Sequence, residues 1–327
     1  MTATAEPRVP DFFIVGHPKC GTSALSLMLK PHPQIGIPVK EPQFFAPEMR
    51  HRVHQASSPE RPTTLEDYLA LFADAPADQR LGDASTLYLE SEGAAQRIAQ
   101  VAPAARIVAI LREPVSFLRS LHMQAVHNYV ETQKDFQAAI ELEPLRRQGR
   151  RVPRFSQNPQ RLLYSEHVRY AEHLARYRAA FPPEQLLVLI YDDFRSDNEA
   201  TVRRVLRFLD VDDTLAIPPI RTKPLPAVRS HLVHQAARAI AISHRNPAAA
   251  GRASQLIYRL TPSQLNSDAL QAAWRRAAYT SPREPDARFV RELRRRYRPE
   301  VVALGEYLGR DLVGEWGYDS LDRSPDL

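Results

Sequence analysis

The apolar run Phe12-Phe13-Ile14-Val15 is followed at once by Gly16-His17-Pro18-Lys19-Cys20-Gly21-Thr22-Ser23 and then by Ala24-Leu25-Ser26-Leu27-Met28-Leu29. Strand, tight loop and helix therefore come in immediate succession, and no other segment restricts the fold as much. A strand that feeds a helix through a short loop belongs to the α/β class. Such a loop points several unpaired backbone N–H groups at one spot, and the helix dipole adds partial positive charge there. A phosphate is the expected occupant, with Lys19 supplying full charge.

A second junction of this kind follows the buried run Arg106-Ile107-Val108-Ala109-Ile110-Leu111, which reads as a parallel strand. Arg112 stands at its C-terminal end, the edge where open α/β sheets bind ligands, and Pro114 is placed to open the next helix. Ser120 falls about two turns into that helix. A planar guanidinium suits a phosphate dianion because its donors lie parallel, and a hydroxyl can donate one more bond. The plainer alternative makes Arg112 a surface partner of Glu113 and leaves Ser120 facing solvent.

The first loop departs from the phosphate loop of nucleoside triphosphatases, in which lysine directly follows the second glycine and a neighbouring hydroxyl binds magnesium. Here Thr22 follows Gly21 and Lys19 lies two residues upstream of that glycine. The order Pro18-Lys19-Cys20-Gly21-Thr22-Ser23 instead resembles the 5′-phosphosulfate loop of sulfotransferases that use 3′-phosphoadenosine 5′-phosphosulfate, or PAPS. Arg112 with Ser120 eight positions later resembles the 3′-phosphate site of the same family. The resemblance implies a PAPS site made by Lys19, Cys20, Gly21, Thr22, Ser23, Ala24, Arg112 and Ser120. It also implies a P-loop-like, three-layer α/β/α fold with a central parallel sheet and a helical C-terminal extension.

A third stretch, Lys40-Glu41-Pro42-Gln43-Phe44-Phe45, is similar to a Lys-Glu-x-x-Phe-Phe stretch of the heparan and carbohydrate branch and of many bacterial members. Its glutamate is the proposed base there, which makes Glu41 and Lys19 the implied catalytic pair. Sulfuryl transfer needs a group to take the acceptor's proton and a cation to stabilise charge on the leaving oxygen, tasks suited to a carboxylate and an ammonium. Glu41 also has a plain reading as a solvated carboxylate beside Lys40. The branch often has histidine where this chain has Gln43, which can hydrogen-bond but carries no proton at neutral pH. Phe44 and Phe45 read as core or pocket wall. Asp83-Ala84-Ser85-Thr86-Leu87-Tyr88 is similar to a stretch lining the family's acceptor cleft, or else caps a loop through Asp83 or Ser85.

The 327 residues, 43% apolar and 25% charged, suit an ordinary globular protein with a large core. No stretch approaches the ~18 continuous apolar residues of a membrane span, and no secretory pattern opens the chain. A cytoplasmic protein is expected, consistent with the single cysteine, Cys20. Metal ligation is not expected, because no His-Glu-x-x-His helix or Cys-x-x-Cys pair is present. The net charge of +6 invites an anionic partner, for which the donor is sufficient. The basic clusters Arg146-Arg147, Arg150-Arg151 with Arg154, and Arg294 to Arg296 with Arg298 read as solvated faces rather than as a nucleic-acid surface.

Residues 1–10 read as a flexible N-terminus and 11–212 as the donor-binding core. Within it, Asp67 to Phe72 and Leu162 to Phe181 have helical spacing, Gln185 to Tyr191 reads as a buried strand, and Asn198 to Leu209 as a helix. The proline-rich stretch 213–281 reads as a substrate-side extension of the same domain with short helices. Residues 282–327 hold an amphipathic helix from about Glu284 to Leu308, stopped by Gly309, and a tail. The expected activity is transfer of a sulfuryl group from PAPS to a hydroxyl, less readily an amine, on a carbohydrate or secondary metabolite. A magnesium-dependent small-molecule kinase and a non-catalytic nucleotide- or glycan-binding protein are the alternatives.

Overall fold

In the computed structural model, Phe12–Gly16 form strand β1, and all five positions are buried, as a strand covered on both faces requires. The structure describes residues 8–49, 61–154, 156, 159–218, 226–230, 233 and 276–322. In chain order the remaining elements are α1 (Thr22–Leu29), β2 (Ile35–Gly36), α2 (Leu65–Ala70), β3 (Arg80–Ala84), α3 (Ala94–Val101), β4 (Arg106–Leu111), α4 (Pro114–His127), α5 (Phe136–Glu141) and α6 (Glu143–Arg147). They continue with α7 (Tyr170–Ala180), β5 (Leu186–Ile190), α8 (Tyr191–Ser196), α9 (Asn198–Phe208), β6 (Ala227–Val228), β7 (Tyr279–Thr280), α10 (Ala287–Leu308) and α11 (Leu312–Glu315).

The main sheet has five parallel strands in the order β2-β3-β1-β4-β5. Phe12 lies opposite Gly82 on one side and Arg106 on the other, which puts β1 at the centre. After β1 the chain crosses toward β2 and β3, and after β3 it returns past β1 to β4 and β5. The loops leaving β1 and β4 therefore diverge, and the crevice between them is the switch point where doubly wound sheets take ligands. Helices α1 and α9 pack together against the sheet, while α3, α4, α7 and α10 form a second helical layer.

Several expectations change. Only β1, β4 and β5 were legible as strands; β2 and β3 add two more. Strand β3 reads Arg-Leu-Gly-Asp-Ala, neither an apolar run nor a clean alternation, and its Gly82 is needed for space: a Cβ there would run into the Phe12 ring. The helix expected over 162–181 starts later, at Tyr170, after the 3₁₀ turn Tyr164–Val168. Glu143 holds that turn by accepting the Ser165 N–H, and Arg169 is non-helical with φ −74° and ψ 57°. Arg146, read as part of a solvated face, is buried in an ion pair with Glu131 at 2.7 Å. Arg294 and Arg296 lie over the rings of Tyr318 and Tyr297, while Arg295, Arg296 and Arg298 are exposed, as a solvated face requires.

The C-terminal helix α10 begins at Ala287 because Asp286 accepts the Arg288 and Phe289 N–H groups, and it stops at Gly309. Residues 1–7 and most of the 213–281 extension, where short helices were expected, lie outside the described residues; residues 276–278 are helical. Within that extension the described β6 pairs antiparallel with β7 and packs on α4. Among the described residues no helix is long and apolar enough to cross a membrane.

Candidate functional site

The loop after β1 turns sharply at two left-handed residues, Lys19 at φ 72° and Gly21 at φ 96°. A glycine suits the second position, since a Cβ on Gly21 would meet the Tyr191 and Phe194 rings at 3.1 Å. Helix α1 begins directly afterwards with no side chain capping it. Its first-turn N–H groups, from Thr22 to Ala24, are thus left for a ligand. Lys19 is half-buried, and burial, with a smaller contribution from Arg112, lowers its pKa. Cys20 is fully buried, its thiol pushed up by burial, and its N–H donates to the His17 carbonyl at 3.3 Å. That residue shapes the loop rather than presenting a side chain.

Arg112, at the end of β4, reaches across the switch point and donates from Nη1 to the Lys19 carbonyl at 3.3 Å. Its guanidinium lies 4.7 Å over the Tyr191 ring, and its own carbonyl accepts from the Tyr170 hydroxyl at 2.8 Å. The Arg112 Nε is buried without a hydrogen-bond partner. A buried cationic N–H left unsatisfied is costly, and an incoming anion would satisfy it. Glu113 is not its partner. The Glu113 carboxylate accepts the Val115 and Ser116 N–H groups at the start of α4 and the Tyr318 hydroxyl at 2.6 Å. Ser120 sits half-buried in the second turn of α4 and shares no hydrogen bond with Arg112 among the described residues.

Glu41 is half-buried in a loop tied down from both sides. Its N–H donates to the Ala84 carbonyl at 3.1 Å, and the Gln43 N–H donates to Ser85 Oγ at 3.1 Å. Lys40 Nζ donates to Ser23 Oγ at 2.7 Å and stands 3.8 Å from Glu41 Oε1, joining the Glu41 loop to the first turn of α1. Glu41 and Gln43 have φ of 56° and 55°, so with Lys19 they make three of the six non-glycine residues at positive φ among the described residues. Backbone strain thus gathers around this crevice, a pattern common at functional sites. Phe45 is core at 2% exposure, and Phe44 stacks on Tyr68 at 4.7 Å.

Beneath the Glu41 loop lies Asp83, fully buried, which accepts from Ser85 Oγ at 2.7 Å and from the hydroxyls of Tyr88 at 2.8 Å and Tyr68 at 2.9 Å. Burial pushes its pKa up to about 6 against the lowering effect of these three donors. It is a hub rather than a loop cap. The sequence reading did not single out Tyr191, His17 or Glu90. Tyr191 could have been found by applying to β5 the rule used for β4, because it immediately follows the strand's C-terminal end. Glu90 gives no local signal, since it meets His17 only across 73 positions of sequence.

The crevice therefore collects Lys19, the free first-turn N–H groups of α1 and the orphaned Arg112 Nε, a set that fits a nucleotide carrying phosphate at both ends. Among the described residues no group of three His, Cys, Asp or Glu could hold a metal ion. The family model described as the sulfotransferase family matches residues 10–214. The human bifunctional heparan sulfate N-deacetylase/N-sulfotransferase 3 is 28% identical over 209 residues, covering 62% of this chain and 22% of that protein. The human bifunctional heparan sulfate N-deacetylase/N-sulfotransferase 2 is 27% identical over the same length and with the same shares. This chain thus spans about a fifth of these relatives, at 22%. A sulfotransferase from Alicyclobacillus acidocaldarius shares the fold, with TM-score 0.64 and 24% identity over 94% of this chain and 98% of that one.

Proposed function

The chain belongs to the sulfotransferase family, and on that premise we propose that it moves a sulfuryl group from PAPS to a hydroxyl or amine acceptor. The observation that carries this reading is the junction of the two phosphate motifs, where Arg112 Nη1 binds the Lys19 carbonyl across adjacent strands and leaves Nε unsatisfied. When bound, the donor supplies an activated sulfuryl group on a 5′-phosphate leaving group. Lys19 and the N–H groups of Gly21, Thr22, Ser23 and Ala24 hold that end, and the Lys19 ammonium opposes the negative charge that develops there. Arg112 and Ser120 hold the 3′-phosphate, with Tyr191 keeping the guanidinium flat beneath it. Glu41 takes the proton that the acceptor loses, held in place by the Ala84 carbonyl and by Lys40. A sugar is the favoured acceptor class, because the relatives above are named for heparan sulfate, and their naming as N-sulfotransferases supports an amine as well as a hydroxyl.

Calorimetric titration with PAP, using ATP as comparator and with magnesium chelated, tests the donor. The wild-type protein is expected to bind PAP in preference to ATP, and Lys19→Ala and Arg112→Ala each to abolish that binding. Glu41→Gln should keep PAP affinity while turnover on a competent acceptor falls by roughly 10²–10⁴-fold, the usual worth of a general base. Binding of ATP alone, and only with magnesium, would overturn this reading in favour of a kinase.

A further inference from the structure

Directly under the donor loop lies a cluster of buried ionisable groups with no part in the chemistry above. His17, the second residue of the loop, is fully buried, and its Nδ1 lies 2.7 Å from Glu90 Oε1. The same oxygen receives His167 Nδ1 at 2.9 Å. The other nitrogen of His167, Nε2, faces the Arg161 carbonyl at 3.1 Å. Both ring nitrogens of His167 therefore face acceptors, and both must carry hydrogen, so His167 is an imidazolium paired with the Glu90 carboxylate. His17 differs. Its Nδ1 donates to Glu90, whereas its Nε2 is buried without a partner, among the rings of Phe117 at 4.8 Å, His173 at 5.4 Å and Tyr170 at 5.5 Å. That is a neutral imidazole held at one end.

We propose that His17 is a positioning residue, through which the buried Glu90–His167 pair sets the loop from Gly16 to Gly21 in its donor-binding shape. The inference rests on the donor reading given above for the identity of the ligand. The His17 carbonyl accepts the Cys20 N–H at 3.3 Å, closing the turn that forces Lys19 to φ 72°, so a fixed imidazole fixes the turn. Tyr170, which packs on the His17 ring, uses its hydroxyl to hold the Arg112 carbonyl at 2.8 Å. One buried unit thus braces both phosphate-binding elements and sets their spacing. Buried ion pairs contribute little to stability compared with well-packed apolar groups of similar size, so stability alone gives no reason to keep one here. Positioning does. Burial would raise the Glu90 pKa, but His167 and His17 together hold it well below the usual carboxylate range. Burial would likewise lower His167, but Glu90 raises it.

The test compares His17→Leu, which removes the tether, with His17→Asn, whose side-chain amide can still donate to Glu90. Amide hydrogen exchange of the ligand-free protein is read over residues 16–24 and, as a control, over α9 at 198–208. Leucine is expected to speed exchange in 16–24 while leaving 198–208 unchanged, and to weaken PAP binding by about tenfold, the worth of one hydrogen bond to a charged group. The KM for PAPS should rise more than kcat falls, and asparagine should restore wild-type values to within about threefold. Should His17→Leu fail to fold, Glu90→Gln keeps the side-chain volume and is expected to loosen the same loop amides. Unchanged exchange in 16–24, or equal losses in the leucine and asparagine variants, would overturn the tether. A wild-type protein that does not bind PAP would overturn the donor reading instead, and the exchange data would still decide the tether.

Discussion

Two glycines with the same backbone sign and different surroundings provide a quantitative check on the loop after β1, proposed above to hold the donor. Gly21 at φ 96° sits against Tyr191 and Phe194, and a Cβ would approach both rings at 3.1 Å. Gly309 at φ 62° ends α10 with nothing within 4 Å of such a Cβ. An alanine at Gly309 pays only the left-handed backbone cost, about 1 kcal/mol. At Gly21 the same cost is joined by overpacking of about 1–3 kcal/mol, because Phe194 is 2% exposed and has nowhere to move. Gly21→Ala should therefore lose about 2–4 kcal/mol in urea unfolding, against about 1 kcal/mol for Gly309→Ala. The side chain that can yield is Tyr191, and it carries the Arg112 guanidinium at 4.7 Å. Gly21→Ala should then also weaken PAP binding at least tenfold, while Gly309→Ala leaves it unchanged. Equal destabilisation of the two variants, or unaltered PAP affinity in Gly21→Ala, would refute the reasoning.

Two further predictions concern buried charge. His173 is 4% exposed with Nδ1 unpartnered, and burial, helped by His17, lowers its pKa from 6.5 to about 2. The native state therefore binds fewer protons than the unfolded chain below pH 6.5. Stability from this residue is complete above that pH and falls with acidification by ~1.4 kcal/mol per unit. His173→Phe should flatten the loss of unfolding free energy between about pH 6.5 and 4 by about one proton's worth; an unchanged slope would count against a neutral buried His173. Arg146 and Glu131 are 1% and 0% exposed at 2.7 Å, so Arg146→Met should lose about 3–5 kcal/mol by stranding the carboxylate. Adding Glu131→Gln should recover much of that loss, and a single-variant loss below about 1 kcal/mol would refute the pairing.

The parts of the fold that were legible are those whose cause is local. Buried parallel strands must be apolar along their whole length, so β1, β4 and β5 stand out as runs, and each is followed by a helix. Strand β3 failed that test because its Asp83 is paid for by three hydroxyls, two of them on Tyr68 and Tyr88, and no local rule anticipates that arrangement. The basic cluster misled for a related reason. Arg146 beside Arg147 reads as surface, yet only Arg147 is exposed, since Glu131 reaches Arg146 from 15 positions away.

Taken by itself, the sequence determines an α/β chain with a strand-to-helix loop at Lys19, an arginine at a strand's C-terminal end at Arg112 and a carboxylate at Glu41, because strand runs, a glycine turn and helix starts depend on neighbouring residues. Tertiary structure alone decides that Arg112 touches the Lys19 carbonyl, that Lys40 ties the Glu41 loop to Ser23, and that Glu90 with His167 lies under His17. Those contacts join residues 17 to 93 positions apart. Their geometry follows from strand order and from burial, which remove water from the charges and make each partner necessary.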